Sequence, residues 1–243
     1  MSKRELVLST IRKALTGEPN LASLPGNLDA LPPLGEVLPR IEPSDLVPRF
    51  EQELSNLAVS AHRVETCEEL GELLDRTLER GRESGIVLSR NPLLARLHLG
   101  TTLDDLGIPF WAWEPDKAGS SAGPSYRDRC FSAAAGITGV DFALAESGSL
   151  VVSSATEGAQ LSSLAPPVHI AFYLRSQVVE TLEEVLRCYR PSAGRSAPDG
   201  RSIVLITGTS RTADIEQILI RGVHGPREVH AILVEDSYFA AAK

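Results

Sequence analysis

Cysteine is scarce in this chain and never paired: Cys67, Cys130 and Cys188 stand about sixty positions apart. No C-x-x-C pair exists, which argues against a sequence-local zinc or iron–sulfur site, and an odd, sparse set gives no disulfide framework. The three read as buried, reduced thiols. Any electron-carrying cluster that works alongside this chain must then sit on another one. Positive charge is also short. Twenty-four Lys and Arg face 32 Asp and Glu, a net charge of -8 and a pI near 5.2, which argues against a nucleic-acid binder that needs a basic face to displace counterions. Long apolar runs are missing too: nothing approaches the roughly 20 residues that span a bilayer. The start carries early positive charge but no continuous apolar stretch or small-residue cleavage site, so a cytoplasmic location is expected. No internal repeat of useful period occurs.

What is present suits a globular protein. The 243 residues are 42% hydrophobic and 23% charged, enough for one large domain or two small ones. Residues Lys3–Leu15 carry a helical stripe. Between Gly17 and Pro48 lie seven of the sixteen prolines, which excludes regular structure and predicts an extended arm that wraps the body or reaches a partner. The division predicted is an N-terminal helix and Pro-rich arm over 1–45 and an α/β domain over 46–243.

In that domain Asp45 precedes a helix with Phe50, Leu54 and Leu57 on its face. An alternating run, Val59–Val64, follows. Thr66 and Glu69 match a capping box for a helix with Leu70, Leu73, Leu74 and Leu78 inward, stopped by Gly81–Gly85. Ile86–Leu88 is a buried strand, Asn91-Pro92 starts a helical piece through His98, and Ile108–Trp113 is a strand whose tryptophans read as core. Asp116–Ser125 is a flexible connection or an active-site loop. A helix over Tyr126–Ala135 is expected next, then strands at Val168–Leu174, Ile203–Ile206 and Val229–Val234, with helices from Ser176 and over Ala213–Arg221. Pro191–Arg201 reads as a solvated loop. This alternation predicts α/β: a mainly parallel sheet covered on both faces, with an antiparallel hairpin.

The hairpin is Asp141–Ala145 and Ser149–Ser154 joined by Glu146-Ser147-Gly148. Its tip reads two ways, as a plain turn or as a place where backbone N–H groups and one acid meet a ligand. A second candidate is Thr207-Gly208-Thr209-Ser210-Arg211, where a buried strand runs into a Gly/Ser/Thr turn and a predicted helix start. Such a junction offers free N–H groups, and Arg211 suits a carboxylate or phosphate. The alternative is ordinary N-capping by Ser210 or Thr212, with Asp214 complementing the dipole. Neither a Walker A loop nor G-x-G-x-x-G is present. Glu146 and Glu157, each beside Gly on adjacent turns (Gly148, Gly158), would line one cleft if parallel strands ended there. His224, in a loop at a strand entrance, suits acid–base chemistry or substrate binding. His169 and His230 read as satisfied strand residues. The His224–His230 spacing fits no metal site, and none is expected.

Together, Gly139-Val-Asp-Phe-Ala-Leu-Ala-Glu-Ser-Gly148, Glu157-Gly158 with Pro167-Val-His-Ile170, and Thr207-Gly-Thr-Ser-Arg-Thr-Ala-Asp-Ile-Glu216 with Gly222-Val-His-Gly-Pro226 resemble the LUD-domain family. The resemblance is to the short C type of the three-component bacterial lactate-utilization system. It implies a three-layer α/β/α sandwich similar to the coenzyme A transferase, ribose-5-phosphate isomerase and folate cyclo-ligase group. It also implies a part in the oxidation of L-lactate to pyruvate, with iron–sulfur clusters on partner subunits. With no cluster ligands of its own, the chain is then expected to be a non-redox subunit that binds a small anionic ligand at the strand ends. Ala145-Glu-Ser-Gly148 is similar to a Ser-Glu-Asn-Gly motif that holds the catalytic glutamate of some coenzyme A transferases, which makes Glu146 the catalytic candidate. Two alternatives stand beside this: a free-standing enzyme on a phosphorylated or coenzyme A-linked metabolite, and a scaffolding or regulatory module.

Overall fold

A computed structural model describes residues 4, 5, 7–9, 40–115, 124–189, 202–213 and 219–241. The chain divides into two compact units, Met1–Arg40 and Ile41–Lys243. In the first, residues 4, 5 and 7–9 are helical. The Pro-rich arm up to residue 39, most of the loop expected over Asp116–Ser125, and all of Pro191–Arg201 lie outside the described residues.

The second unit is built on a six-stranded sheet. Its strands are β1 (Ser60–Val64), β2 (Ile86–Leu88), β3 (Phe110–Ala112), β4 (Ala135–Thr138), β7 (Val168–Leu174) and β12 (Glu228–Val234), in the order β1-β12-β7-β4-β2-β3. Every pairing in it is parallel. The central strands are apolar on both sides because both faces are covered. On one face Ile137, Ile170, Phe172 and Ile232 pack with Leu70 and Leu74 of α2 (Cys67–Thr77), Leu97 just after α4 (Pro92–Arg96) and Leu103 of α5 (Leu99–Asp105). On the other, Ala171, Tyr173, Ala231 and Leu233 meet Phe50 and Leu54 of α1 (Leu46–Asn56) and a second sheet. That second sheet runs β8-β5-β6-β9: β8 (Val178–Val179), β5 (Phe142–Leu144), β6 (Ser149–Ser153) and β9 (Ile203–Ile206). The expected hairpin is its β5–β6 pair, and α8 (Leu182–Tyr189) closes its outer side through Val185.

Local signals explain most element ends. Thr66 Oγ1 accepts from the Glu69 N–H at 3.2 Å, while the Glu69 carboxylate turns back to the Glu65 N–H rather than to Thr66 itself. Thr66→Ala is expected to cost about 1 kcal/mol in urea unfolding, the usual loss of an N-cap. Pro48 sits inside α1, not in the arm, because the first helical turn has no N–H partner for it to lose.

Several expectations are corrected. Gly81–Ser84 is a short helix (α3) rather than a stop, and Leu99–Asp105 and the final Asp236–Ala241 are helices not anticipated. The helix expected to Ala135 ends earlier, as α6 (Tyr126–Ser132), and Ala135 opens β4. Val179 belongs to β8, paired with Leu144, not to the following helix. The helix expected over Ala213–Arg221 is replaced by an antiparallel pair, β10 (Arg211–Ala213) with β11 (Leu219–Arg221); 214–218 lie outside the described residues. Cys67 and Cys188 are exposed and only Cys130 is buried. Trp111 and Trp113 are half-buried, each beneath an arginine. No described helix is long and apolar enough to cross a membrane.

Candidate functional site

The neighbouring strands β2 and β4 sit at a point where the chain parts. From β2 it crosses to β3 on one side, and from β4 it proceeds through the second sheet to β7 on the other. Loops that diverge in this way leave a crevice at the carboxyl ends of the strands. Two loops line it, Ser89-Arg90-Asn91 after β2 and Gly139-Val140-Asp141 after β4. Asn91 Oδ1 accepts from the Leu93 N–H at 3.0 Å and starts α4, with Pro92 first in the helix. Gly139 lets the two loops touch, since a Cβ there would stand 2.5 Å from Asn91 Oδ1.

Into this junction comes Glu157, the last residue of α7 (Ser154–Glu157), which follows β6 directly. Gly158 ends the turn at φ +77°, flat against Trp113. The Glu157 side chain is fully buried. Its Oε2 accepts from Ser89 Oγ at 2.5 Å and from the Gly139 N–H at 3.2 Å, and its Oε1 accepts from the Asn91 amide. All three donors are neutral. Burial pushes the carboxyl pKa up, nearby Asp141 adds to the shift, and the Ser89 and Asn91 hydrogen bonds oppose it.

A cavity of about 470 Å³ opens beside this acid. Leu93, Val140, Phe142 and Leu174 give it apolar walls; Asn91, Asp141, Thr156, Gln177 and Tyr189 supply polar groups, and Arg96 an exposed cation. Asp141 accepts from Thr156 Oγ1 at 2.6 Å and from the Tyr189 hydroxyl. Burial and the hydrogen bond to Asp141 raise the Tyr189 pKa, so it stays a phenol and a donor. Gln177 is fixed by donating to the Val140 carbonyl at 2.5 Å. The Arg96 guanidinium lies 4.3 Å from the ring centroid of Phe239. Apolar walls with a few converging polar groups are what a small-molecule site requires.

The residues singled out in the sequence fall in three places. Glu157 and Gly158 lie behind this cavity. Glu146, Ser147 and Gly148 lie at the other end of the hairpin, because Glu146 precedes β6 and Glu157 follows it, so the two acids do not share a cleft. The Glu146 carboxylate accepts from the Leu182 N–H at 2.8 Å, at the start of α8. Ser147 bonds Ser149, which bonds Thr207, at 2.9 and 2.7 Å. Gly148, at φ +63°, packs on the Glu53 backbone. Gly208–Arg211 closes the end of α1: Gly208 lies on Leu57, and the Arg211 guanidinium donates to the Leu57 carbonyl at 2.6 Å. Ser210 pairs with Pro226 and Gly222 through the backbone, and Thr209 is buried with its hydroxyl unpartnered among the described residues. With β10 in place of a helix, this turn has no helix dipole behind it. His224 lies in the third place, a groove at the amino edge of the parallel sheet with Leu164 and the exposed Phe131 and Val223.

Asp141, Thr156, Tyr189, Ser89, Asn91 and Arg96 were not marked by sequence reasoning. The available signal was position: Ser89–Asn91 and Gly139–Asp141 each follow an apolar strand immediately. Among the described residues no group of three His, Cys, Asp or Glu side chains is placed to hold a metal ion.

Comparison with known proteins places this geometry in context. A family model described as the LUD domain matches residues 47–234. Lactate utilization protein C of Bacillus subtilis (strain 168) is 35% identical over 130 residues, 54% of this chain and 52% of that protein. The chain therefore spans about half the length of that relative, and 53% of the Bacillus velezensis one. The protein of the same description from Halalkalibacterium halodurans is 25% identical over 236 residues, 97% of this chain and 99% of its own length. A crystal structure described as a DUF162 family protein from Deinococcus radiodurans shares the fold, with a TM-score of 0.54 at 21% identity over 80% of this chain and 99% of that one.

Proposed function

We propose, from the premise that this chain belongs to the LUD-domain family, that it is a non-redox subunit of a lactate-utilization system that oxidises L-lactate to pyruvate. Its own part is to hold a small anionic metabolite in the cavity at the carboxyl edge of the parallel sheet. The names of its relatives, one of them similar along nearly the whole chain, support the pathway. The observation that carries the binding role is the cavity itself, set at the strand switch point with Asp141, Thr156 and Tyr189 converging and Arg96 as a cation. The iron–sulfur clusters that such an oxidation draws on are assigned to partner subunits, because the sequence holds no C-x-x-C pair.

Two measurements test this. Affinity capture from lactate-grown cells should recover iron–sulfur proteins; capture of none, with normal growth on lactate after deletion of this chain, rejects the subunit role. L-lactate or pyruvate should raise the thermal midpoint, by an amount equivalent to about 2.7 kcal/mol at one hundred times Kd. Arg96→Ala should weaken that binding at least about tenfold, the scale of a charge-assisted hydrogen bond.

A further inference from the structure

Three large apolar side chains that the fold leaves in water gather at the amino edge of the parallel sheet: Phe131 at 64%, Val223 at 52% and Leu164 at 38% exposure. They border a groove of about 570 Å³. Leu161 and Ala165 also line it, half-buried against the cluster of Val87, Cys130 and Ala133. Every wall comes from a segment that precedes a strand: α6 before β4, the Leu161–Pro167 stretch before β7, and the Gly222–Arg227 loop before β12. An aromatic and two aliphatic side chains grouped at a surface in this way mark an interaction site.

Charge sets what covers it. The whole chain carries -8, yet the groove is lined by Arg227 and His224 and by no acid. Arg127 joins them at the rim, its guanidinium 5.9 Å from the Phe131 ring centroid. Neither arginine has a salt bridge among the described residues. Of the acids beside them in sequence, Asp128 is engaged in capping α6 through Ser125, and Glu228 opens β12. Gly222 makes room for the Arg227 stem, since a Cβ there would collide with it. Aromatic and arginine side chains around an apolar centre are the composition of a protein-binding surface. A second copy of this chain is a poor occupant: a two-fold pairing of the groove with itself sets the arginines of one copy against those of the other.

We infer that this groove seats the iron–sulfur partner, through a segment that carries one large apolar side chain with carboxylates beside it. The inference rests on the subunit reading above. The apolar side chain enters between Phe131, Leu164 and Val223, and the carboxylates meet Arg227 and Arg127 at the rim. Pro167, at this groove, precedes β7, and Leu174, at the ligand cavity, ends it. The seven residues of that strand separate the two places by roughly 20 Å, so partner and ligand bind without competing.

The test is calorimetric titration of the full chain with the iron–sulfur protein that affinity capture identifies, purified with its clusters. Phe131→Ser and Val223→Ser should each weaken the complex at least about tenfold, and Arg227→Glu by a similar factor. Added salt should weaken the wild-type complex more steeply than that of Arg227→Ala. Leu186→Ser, which removes a comparably exposed apolar side chain from α8, should change nothing. All four positions are exposed, so the thermal midpoints of the variants should match that of the wild type. If capture identifies no iron–sulfur protein, the subunit reading and this docking fall together. If the partner binds but Phe131→Ser and Val223→Ser bind it equally well, or Leu186→Ser costs as much as they do, docking at this groove alone falls. Sedimentation of the chain by itself should show no self-association that Phe131→Ser abolishes; a dimer dissolved by that change assigns the groove to a second copy and overturns the proposal.

Discussion

Gly136→Ala is expected to lose about 3 kcal/mol or more of stability in urea unfolding, among the largest effects a single methyl can have. Gly136 lies in β4, fully buried between β2 and β7, where it pairs with Val87 and His169. A Cβ there would overlap the carbonyl oxygen of Ser162, lie 2.8 Å from its carbonyl carbon and 3.1 Å from Pro166 Cγ. The obstacle is backbone, so no rotamer change removes it, and the strand cannot retreat without breaking two ladders. The residue is glycine for close approach and not for an unusual φ. Gly71 in α2 is the matched control: nothing lies within 4 Å of its added Cβ, and Gly71→Ala should stabilise by up to about 1 kcal/mol. Equal effects at the two positions would refute the close-packing account.

Acidification below pH 6.5 is expected to destabilise the fold steeply, with His169 as the main cause. Its ring is fully buried in β7, with Nε2 against Thr138 Oγ1 at 2.9 Å and Nδ1 without a partner among the described residues. Burial pushes its pKa down to about 3. A depressed histidine pKa means that above pH 6.5 both folded and unfolded chains are neutral and stability is intact. Below it the unfolded chain gains a proton that the fold refuses, so stability falls until about pH 3. The slope for one proton is about 1.4 kcal/mol per pH unit, or about 2 kcal/mol between pH 6.5 and 5. His62 and His230, 3.0 Å apart across β1 and β12, are also depressed, first by burial, and add in the same direction. Glu157 works against them: its raised pKa gives a contribution present below its unfolded value and lost as pH rises through the folded one. Unfolding free energies against pH for wild type and His169→Gln test this. The variant should show a flatter acid limb, and an unchanged limb would clear His169.

The same comparisons show why some of the molecule was legible in its sequence and some was not. Ile86–Leu88, Val168–Leu174 and Val229–Val234 announce a parallel sheet because strands buried on both faces need continuous apolar residues. Asn91-Pro92 and Thr66 announce helix starts because capping is local chemistry. Thr207–Thr212 misleads for the same reason: Ser, Thr and Gly suit a turn as well as a helix entrance, and only the pairing of Arg211–Ala213 with Leu219–Arg221 decides. Two carboxylates eleven positions apart looked like neighbours, but β6 runs between them and carries them to opposite ends. Asp141 and Tyr189 meet across 48 positions, through a helix docked on the second sheet, and no short-range pattern encodes that meeting. Glu157 was found because an acid beside glycine stands out; its partners in the loops after β2 and β4 become visible only once strand order is known.

One packing detail gives the molecule a built-in optical readout. The chain has two tryptophans. Trp113 lies face-on to Gly158, the residue after Glu157, with the Arg90 guanidinium 4.8 Å from its ring centroid. Trp111 sits two positions earlier, beneath Arg129 at 4.1 Å and against Gly85. A chain carrying Trp111→Phe would hold a single indole, anchored next to the buried acid. Its emission would follow charge appearing or disappearing on Glu157 in real time, without any label attached.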